Sequence, residues 1–321
     1  MKQLCNFKRM SHIESLHCIL FAGVLLSLVL IGCATKEIET SNMSTEPAVE
    51  ILLTPAETTT SGEPVELQII GFDADGMQTN VYAAPEFTLT GLIGSMDSHQ
   101  FTPDPVAGAH AGTVTAKSGE LNATSRIRVI PSLPWTEDFE DVPLEKSPTH
   151  WIGATNKFFV RESDIARDGS KVLVKTPVTR GLNRSNVYIG PSNMKDYQIQ
   201  IDLMGTKDRR RLPDMGLIAN RYTLDMQGRH QRLQIRSWAS DLRMAETIDF
   251  AWETDVWYTM RMKVETVDDK ARIYGKVWKT ADAEPDEWTI TAEDPLPNRE
   301  GSPGIYGYSP TIIYYDNLKV W

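Results

Sequence analysis

The sequence has almost no cysteine. Of its 321 residues only Cys5, Cys18 and Cys33 are cysteines, and all three lie in the first 33 residues. The rest of the chain therefore has no thiol for a disulfide bond, a thiolate metal site or a cysteine nucleophile.

The sequence also lacks a positive net charge, and its histidines form no metal-binding motif. The formal net charge is −10, and an acidic chain is a poor binder of nucleic acid. The histidines after the first 33 residues are scattered without the paired spacing of a zinc site; they are His99, His110, His150 and His230. Nucleic-acid binding and zinc chemistry are therefore not expected.

The first 33 residues have the features of a secretory signal. A basic start precedes an apolar run from Ile19 to Ile31, which ends in Leu30-Ile31-Gly32-Cys33. This run of about 13 residues is shorter than the ~20 needed to span a bilayer. It resembles the signal of bacterial lipoproteins, which implies removal of residues 1–32 and lipidation of Cys33. Ala34 follows the cysteine, which in such proteins favours the outer membrane.

Residues 33–48 are predicted to be a flexible tether, because Ser, Thr and Glu are frequent and apolar residues are few. Short alternating strands with turn signals follow from residue 49 to residue 131 and predict a small antiparallel sandwich. This part resembles bacterial immunoglobulin-like modules in the segments VEILLTP, GEPVELQIIGFDADG and AGTVTAKSGELNATSRIRVIP. Such modules are usually spacers.

Residues 132–321 are predicted to be almost entirely strand and turn. The clearest pattern is a hairpin from Val256 to Lys279, in which Val264 faces Ile273 and one side of each strand is apolar. A second hairpin is predicted at residues 227–230, with Leu224 opposite Leu233. Met215–Met226 is expected to be one strand, and the segment with Tyr306 and Tyr308 is expected to be a turn-rich loop.

Several segments of this part are typical of a known module. They include EDFED, YIGPSNMKDYQIQIDL, PDMGLIANRYTLDMQG, DVWYTMRMKV and YYDNLKVW. They resemble the C-terminal module of bacterial proteins with PQQ-type β-propeller repeats, which is similar to the concanavalin A-like lectin and glucanase fold. The resemblance implies an all-β jelly-roll sandwich over residues 132–321. The propeller itself is absent from this sequence, so no quinone chemistry is transferred.

Strand alternation places polar and aromatic side chains together on what we expect to be one broad outer face. Aromatic rings with planar hydrogen-bonding groups beside them are suited to sugars, and the arginines would suit an acidic glycan. The alternative is an ordinary solvated face of an antiparallel sheet. The predicted ligand-binding residues are Arg221, Arg232, Gln234, Arg236, Trp238, Arg261, Tyr274, Lys276 and Trp278.

Two further kinds of site are considered. Asp202 and Asp225 are weak candidates for the two carboxylates of a glycoside hydrolase. Carboxylates near the first and last strands are candidates for a structural Ca²⁺ site, the alternative being acidic residues that cap strand ends. The calcium candidates are Asp138, Glu140, Asp141 and Asp316.

The sequence thus predicts a lipid-anchored protein of the cell envelope whose C-terminal sandwich binds carbohydrate without catalysis. Two alternatives remain open at this point. One is a glycoside hydrolase that acts on a polysaccharide. The other is a scaffold lipoprotein that docks a separate β-propeller protein in the envelope.

Overall fold

The computed structural model describes residues 43–178, 183–238 and 241–321. Cys33, the predicted signal peptide and most of the predicted tether lie outside the described residues. All regular secondary structure in the described ranges is β-strand, so the predicted all-β class is confirmed. Those ranges contain no helix with the length and hydropathy of a transmembrane span.

The N-terminal part folds into three small sheets. Their strand orders are β1-β4-β5, β2-β10-β9-β6 and β3-β8-β7, and β2 pairs with β10 in parallel. Their apolar side chains form one hydrophobic cluster around Phe101, Val114 and Ile127. The strands are β1 Glu50–Thr54, β2 Glu57–Thr60, β3 Val65–Glu66, β4 Gln68–Phe72, β5 Gln78–Thr79, β6 Glu86–Thr90, β7 Gly94–Asp97, β8 Gln100–Pro103, β9 His110–Ser118 and β10 Leu121–Ile130.

The C-terminal part consists of two larger sheets. The eight-stranded sheet has the order β12-β13-β24-β15-β20-β21-β22, with β11 paired to β24, and the six-stranded sheet has the order β14-β23-β16-β17-β18-β19. The strands are β11 Trp135–Glu137, β12 Phe158–Glu162, β13 Lys171–Lys175, β14 Arg184–Tyr188, β15 Gln198–Gly205, β16 Asp214–Ala219, β17 Tyr222–Gln227, β18 Arg232–Trp238, β19 Leu242–Asp249, β20 Tyr258–Val267, β21 Lys270–Lys279, β22 Ile290–Asp294, β23 Gly304–Tyr308 and β24 Ile313–Val320.

The two larger sheets pack face to face around one core. Ile199, Ile201 and Met260 of the eight-stranded sheet are fully buried, as are Leu224 and Ile235 of the six-stranded sheet, and all belong to one hydrophobic cluster. Alternate residues of these strands point away from the core. The described residues form one compact unit with two separate hydrophobic clusters. The predicted limits of the two sandwiches, at residues 131 and 132, stay a prediction.

The hairpin of β20 and β21 has the predicted register. Val264 pairs with Ile273, Arg261 with Lys276 and Thr259 with Trp278. Asp268 and Asp269 form the turn with φ values of 51° and 60°. The first and last strands of this sandwich are neighbours, because β11 pairs with β24.

The second predicted hairpin has a different register. Leu224 pairs with Ile235, and Leu233 pairs with Met226. The connection comprises residues 228–231 instead of a two-residue turn, so β18 moves by two positions relative to the prediction. A shift of two keeps each side chain on its predicted side of the sheet.

Two segments differ in secondary structure from their predictions. Met215–Met226 is not one strand, because Asn220 and Arg221 form a two-residue turn with φ values of 46° and 64° between β16 and β17. The expected loop around Tyr306 is β23, which lies between β14 and β16. This second difference places Tyr306 inside the six-stranded sheet.

Candidate functional site

The predicted binding face is divided between two sheets. Arg232, Gln234, Arg236 and Trp238 lie on β18 of the six-stranded sheet. Arg261 lies on β20, and Tyr274, Lys276 and Trp278 lie on β21 of the eight-stranded sheet. Arg221 lies in the turn before β17. The prediction of a single face is wrong. Alternation along a strand shows which side chains point away from the core, but it does not show to which of the two sheets the strand belongs.

Two rows of side chains cross the outer face of the six-stranded sheet in register. Each row takes one residue from every strand, from β14 to β19. The first row is Arg184, Tyr308, Asp214, Gln227, Arg232 and Asp249, and the second is Asn186, Tyr306, Gly216, Asp225, Gln234 and Thr247. A hydrogen-bonding surface therefore runs across the whole sheet.

A cavity of about 560 Å³ lies on these rows. This volume is in the range of roughly 300–1,000 Å³ for sites that bind small molecules. Trp238 stands at its rim with 57% of its surface exposed. The lining residues are Arg184, Asn186, Asp214, Thr223, Asp225, Gln227, His230, Arg232, Gln234, Arg236, Trp238 and Tyr306.

The floor of the cavity is held by a buried ion pair. The Asp225 carboxylate accepts a hydrogen bond from the Arg236 guanidinium, whose carbon lies 4.9 Å from the centre of the Tyr306 ring. Gln227 Nε2 also donates to Asp225, at 3.3 Å. Burial raises the pKa of Asp225, and the charge of Arg236 opposes that rise. The pair and its neighbours fix the floor residues in place.

Asp214 is a second carboxylate in the cavity. It lies diagonally across from Asp225 on the neighbouring strand, a position about 7–8 Å away between Cα atoms. Burial and the nearby Asp225 charge raise the pKa of Asp214 to about 6, against the opposing effects of the Gly228 amide, Arg184 and Arg236. The Gly228 N–H donates to Asp214 Oδ1 at 2.9 Å. Asp214 therefore changes charge near neutral pH.

Part of the hydrogen-bonding capacity of the cavity is unused. Asp225 Oδ1 and Arg232 Nε are buried and have no hydrogen-bond partner among the residues that the structure describes. Arg184 donates to the Tyr306 hydroxyl at 3.0 Å. Over residues 43–178, 183–238 and 241–321, no salt bridge joins Arg184 or Arg232 to a carboxylate. Two of the lining arginines are therefore not neutralised by a carboxylate of the described residues.

On the outer face of the eight-stranded sheet, the polar side chains form hydrogen bonds with other residues of the protein. Arg261 donates to Gln200 at 2.9 and 2.7 Å and to Glu284 at 2.7 Å. Lys276 Nζ donates to Glu284 at 3.1 Å and to the Pro285 carbonyl at 2.6 Å. These side chains have little capacity left for a ligand, although their composition matches that of the cavity.

Asp202 does not pair with Asp225. Asp202 lies on the eight-stranded sheet, where it accepts hydrogen bonds from Thr259 at 2.6 Å and from Asn317 at 3.1 Å. Asp225 lies on the six-stranded sheet. The predicted pair is wrong, because the two carboxylates belong to opposite outer faces of the sandwich.

The four calcium candidates are not gathered into one site. Glu140 accepts from the amides of Ser170 and Lys171 at 2.8 and 2.7 Å, and Asp316 accepts from the amide of Arg167 at 2.8 Å. The structure shows no group of three metal-binding side chains within the ranges that it describes, and Asp138 and Asp141 do not complete one. Bound calcium stays a prediction that this geometry does not support.

Several cavity residues were missed in the sequence. Asp214 and Arg184 each begin a short strand, Asp-Met-Gly-Leu-Ile and Arg-Ser-Asn-Val-Tyr, and in neither do polar and apolar residues alternate strictly. Without that alternation the sequence gives no clear signal that either side chain points outward. Tyr306 was missed because its glycine-rich surroundings are typical of a loop. The other missed lining residues are Asn186, Thr223, Gln227 and His230.

Comparison with known proteins gives similarity in fold only. No family model and no curated protein matches the chain. Arcelin-5, a lectin-like defence protein from Phaseolus vulgaris, shares 9% identity at a TM-score of 0.39 over 59% of this chain and 98% of that one. Lectin II from Ulex europaeus has 8% identity and a TM-score of 0.39, covering 59% of this chain and 97% of that one. The apo Crh5 transglycosylase has 8% identity and a TM-score of 0.37, covering 59% and 84%.

Proposed function

We propose that the protein binds carbohydrate in the cavity on the outer face of the six-stranded sheet. The observation that carries the proposal is an open cavity, lined mainly by polar side chains, with an exposed aromatic ring at its rim and two arginines that no described carboxylate neutralises. Lectins are among the structures of similar fold, but the proposal rests on the cavity itself.

The lining matches the chemistry of a sugar. The indole of Trp238 offers a flat apolar surface for the apolar side of a sugar ring. Asn186, Gln227 and Gln234 offer amide groups that both donate and accept, as hydroxyl groups require. Gln234 is already oriented by Thr247, whose hydroxyl accepts from Gln234 Nε2 at 2.9 Å. Fixed amides reduce the conformational entropy that a ligand must overcome on binding.

The proposed location is the cell envelope, with a lipid on Cys33 as the anchor. Support comes from the apolar run that precedes Cys33 and from the sequence order, in which β1 to β10 follow Cys33 and precede the strands that carry the cavity. In this arrangement the sandwich of β1 to β10 serves as a spacer. Metabolic labelling with a fatty acid, compared between the full chain and Cys33→Ser, tests the anchor. Equal labelling of the two proteins would contradict it.

A glycan array probed with the full-length protein tests the binding. Trp238→Ala is the test variant, and Trp278→Ala is its matched control, because Trp278 lies on the eight-stranded sheet. We expect Trp238→Ala to abolish binding to the glycans that the parent protein retains, and Trp278→Ala to leave binding unchanged. Loss in the control alone would move the site to the other face. A blank array from a folded protein would overturn the proposal and favour the scaffold alternative.

A second candidate function is glycoside hydrolysis by Asp214 and Asp225. The observation that favours it is that two carboxylates with raised pKa values lie on adjacent strands of one cavity. Such enzymes use one protonated and one ionised carboxyl group, about 5–10 Å apart. Here Asp214 would be the acid and Asp225, paired with Arg236, the carboxylate.

Release of reducing ends from a glycan that the protein binds tests this candidate. Hydrolysis requires that Asp214→Asn binds the glycan but does not cleave it. Turnover that persists in Asp214→Asn would exclude Asp214 as the acid. Absence of turnover in the parent protein, with binding retained, leaves binding alone as the function of the cavity.

A further inference from the structure

The fixed charges of the cavity favour an anion. Arg236 is neutralised by Asp225 in their buried ion pair. Arg184 and Arg232 carry two more positive charges, and Asp214 is the remaining carboxylate that lines the cavity. With Asp214 ionised the cavity has a net charge of about +1, and with Asp214 protonated about +2. A neutral sugar requires no such excess.

Arg184 and Arg232 have N–H groups that donate to no other described residue. Arg232 Nη2 donates to Gln227 Oε1 at 3.3 Å, while Arg232 Nε is buried without a partner among the described residues. Arg184 uses its Nε on Tyr306 and stacks over the Tyr308 ring at 5.6 Å. A guanidinium held by aromatic and amide neighbours, with N–H groups unused, is the group that proteins use to bind carboxylates and sulfates.

Asp214 lies between these two arginines in the first row of the sheet. When ionised, it competes with an anionic ligand for the arginines. When protonated, it adds no repulsion and has an O–H that donates to an oxyanion. The charged or titratable groups around Asp214, from every strand next to it and from the loop after β17, are Arg184, Tyr306, Tyr308, Asp225, Arg232, Arg236, Arg229 and His230.

We infer that the cavity selects glycans that carry an anionic substituent, a carboxylate or a sulfate, and that protonation of Asp214 strengthens their binding. This inference rests on the proposed carbohydrate-binding function and specifies its ligand class. It makes the affinity for acidic glycans depend on pH, whereas the affinity for neutral glycans does not.

Titration of Asp214 sets the limit of the pH effect. Its pKa of about 6 means that the ionised form dominates at about pH 7.5 and the protonated form at about pH 5. If only the protonated form accepts the ligand, the affinity rises by up to about 30-fold between these pH values. A carboxylated or sulfated sugar keeps its own charge over that range, because its acid groups titrate below about pH 4.

Matched pairs of glycans, applied to the full-length protein, test the inference. Oligogalacturonate is compared with its methyl ester, and dextran sulfate with dextran, so that each pair differs in charge but not in backbone. We expect the charged member to bind at least about tenfold more tightly, and the pair that shows this identifies carboxylate or sulfate. Equal affinity within the pairs would overturn the inference and leave the proposed function standing. No binding in either pair, nor on the glycan array, would overturn both.

Variants connect the pH effect to Asp214. Asp214→Asn keeps an acceptor for the Gly228 N–H and removes the charge. We expect it to bind the acidic glycan at about pH 7.5 as tightly as the parent protein does at about pH 5, with little dependence on pH. Arg232→Gln should weaken the binding of acidic glycans at both pH values, and by more than it weakens the binding of neutral ones. His230→Gln, which removes the imidazole from the cavity lining, should keep the pH dependence.

A pH dependence that survives in Asp214→Asn but is lost in His230→Gln would overturn the role of Asp214. Folding of each variant is checked by its urea-unfolding midpoint, because a shifted midpoint would separate loss of the fold from loss of the site. Arg184→Gln replaces Arg232→Gln if the latter does not fold, since Arg184 is exposed and contributes the same charge.

Discussion

Replacing Lys175 by methionine should stabilise the protein. Lys175 lies on β13 with no exposed surface, and its Nζ has no hydrogen-bond partner among the described residues. Burial lowers the pKa of this ammonium group from 10.5 to about 8, and the nearby charge of Lys157 lowers it further in the same direction. A charged group that the fold isolates in this way costs stability.

The size of the effect follows from that pKa. The fall from 10.5 to about 8 corresponds to at most about 3 kcal/mol in the free energy of unfolding. The Nζ lies 5.2 Å from the centre of the Phe158 ring, a contact that returns roughly 0.5–2 kcal/mol. Methionine has nearly the same length and no charge. We therefore expect Lys175→Met to gain about 1–3 kcal/mol at pH 7.

The gain should shrink at high pH. Below about pH 8 both the folded and the unfolded parent protein carry the proton, so the cost is constant. Between about pH 8 and pH 10.5 the unfolded chain binds more protons than the folded one, and the stability of the parent protein rises with pH. Lys175→Met lacks this rise.

Urea unfolding followed by tryptophan fluorescence at about pH 7 and about pH 10 measures both effects. Lys157→Met is the control, because Lys157 is exposed and its loss should change stability by less than about 0.5 kcal/mol. A variant less stable than the parent protein at pH 7 would refute the reasoning. So would an equal difference at the two pH values, which would show that Lys175 finds a partner or water in the fold.

A partly buried carboxylate, Glu137, and a buried one, Asp294, give predictions of opposite sign. Burial, with the charges of Asp138 and Asp141, raises the pKa of Glu137 to about 6. The contribution of protonated Glu137 to stability is therefore fully present below about pH 4.5 and is lost as the pH rises through about 6. Glu137→Gln should therefore raise the free energy of unfolding by up to about 2 kcal/mol at pH 7 and leave it unchanged at pH 4. Equal calorimetric melting temperatures of the variant and the parent protein at pH 7 would contradict this. Burial opposes ionisation of Asp294, but hydrogen bonds from Arg243 and Tyr222 lower its pKa. The ionised Asp294 therefore contributes to stability above about pH 4, and this contribution is lost as the pH falls through the lowered pKa. Asp294→Asn should lower the free energy of unfolding, measured with urea at pH 7, by about 2–4 kcal/mol. The exposed Asp269→Asn should lower it by less than about 1 kcal/mol. Equal losses would show that the buried pair of Asp294 with Arg243 stabilises the fold no more than an exposed pair does.

Local alternation was enough to predict the hairpin of β20 and β21. The period of two fixes which side chains share a side, and two aspartates mark the turn, so Val264 and Ile273 were correctly paired. The division into two sheets was not accessible in the same way. It depends on β23 entering between β14 and β16 and on β24 entering between β13 and β15, and these are pairings over long sequence distances.

Glycine was the main source of error near the site. The segment with Gly304 and Gly307 was predicted to be a turn-rich loop, yet both glycines lie in β23. A Cβ at Gly304 would lie 2.1 Å from the Val187 carbonyl oxygen, and one at Gly307 would lie 2.7 Å from the Tyr315 hydroxyl. These glycines allow close approach of the backbone and of core side chains within the sandwich. The sequence shows the glycines but not the atoms that approach them.

Composition alone does not distinguish the two outer faces, since both have arginines beside tryptophan or tyrosine. What distinguishes them is how many hydrogen bonds remain to be made. On the eight-stranded sheet Arg261 is bound by Gln200 and Glu284. On the six-stranded sheet Asp225 Oδ1 and Arg232 Nε have no hydrogen-bond partner among the described residues, and Arg184 and Arg232 line an open cavity without a salt bridge to a described carboxylate. That difference is the reason for proposing that the six-stranded face, and not the other, binds a ligand.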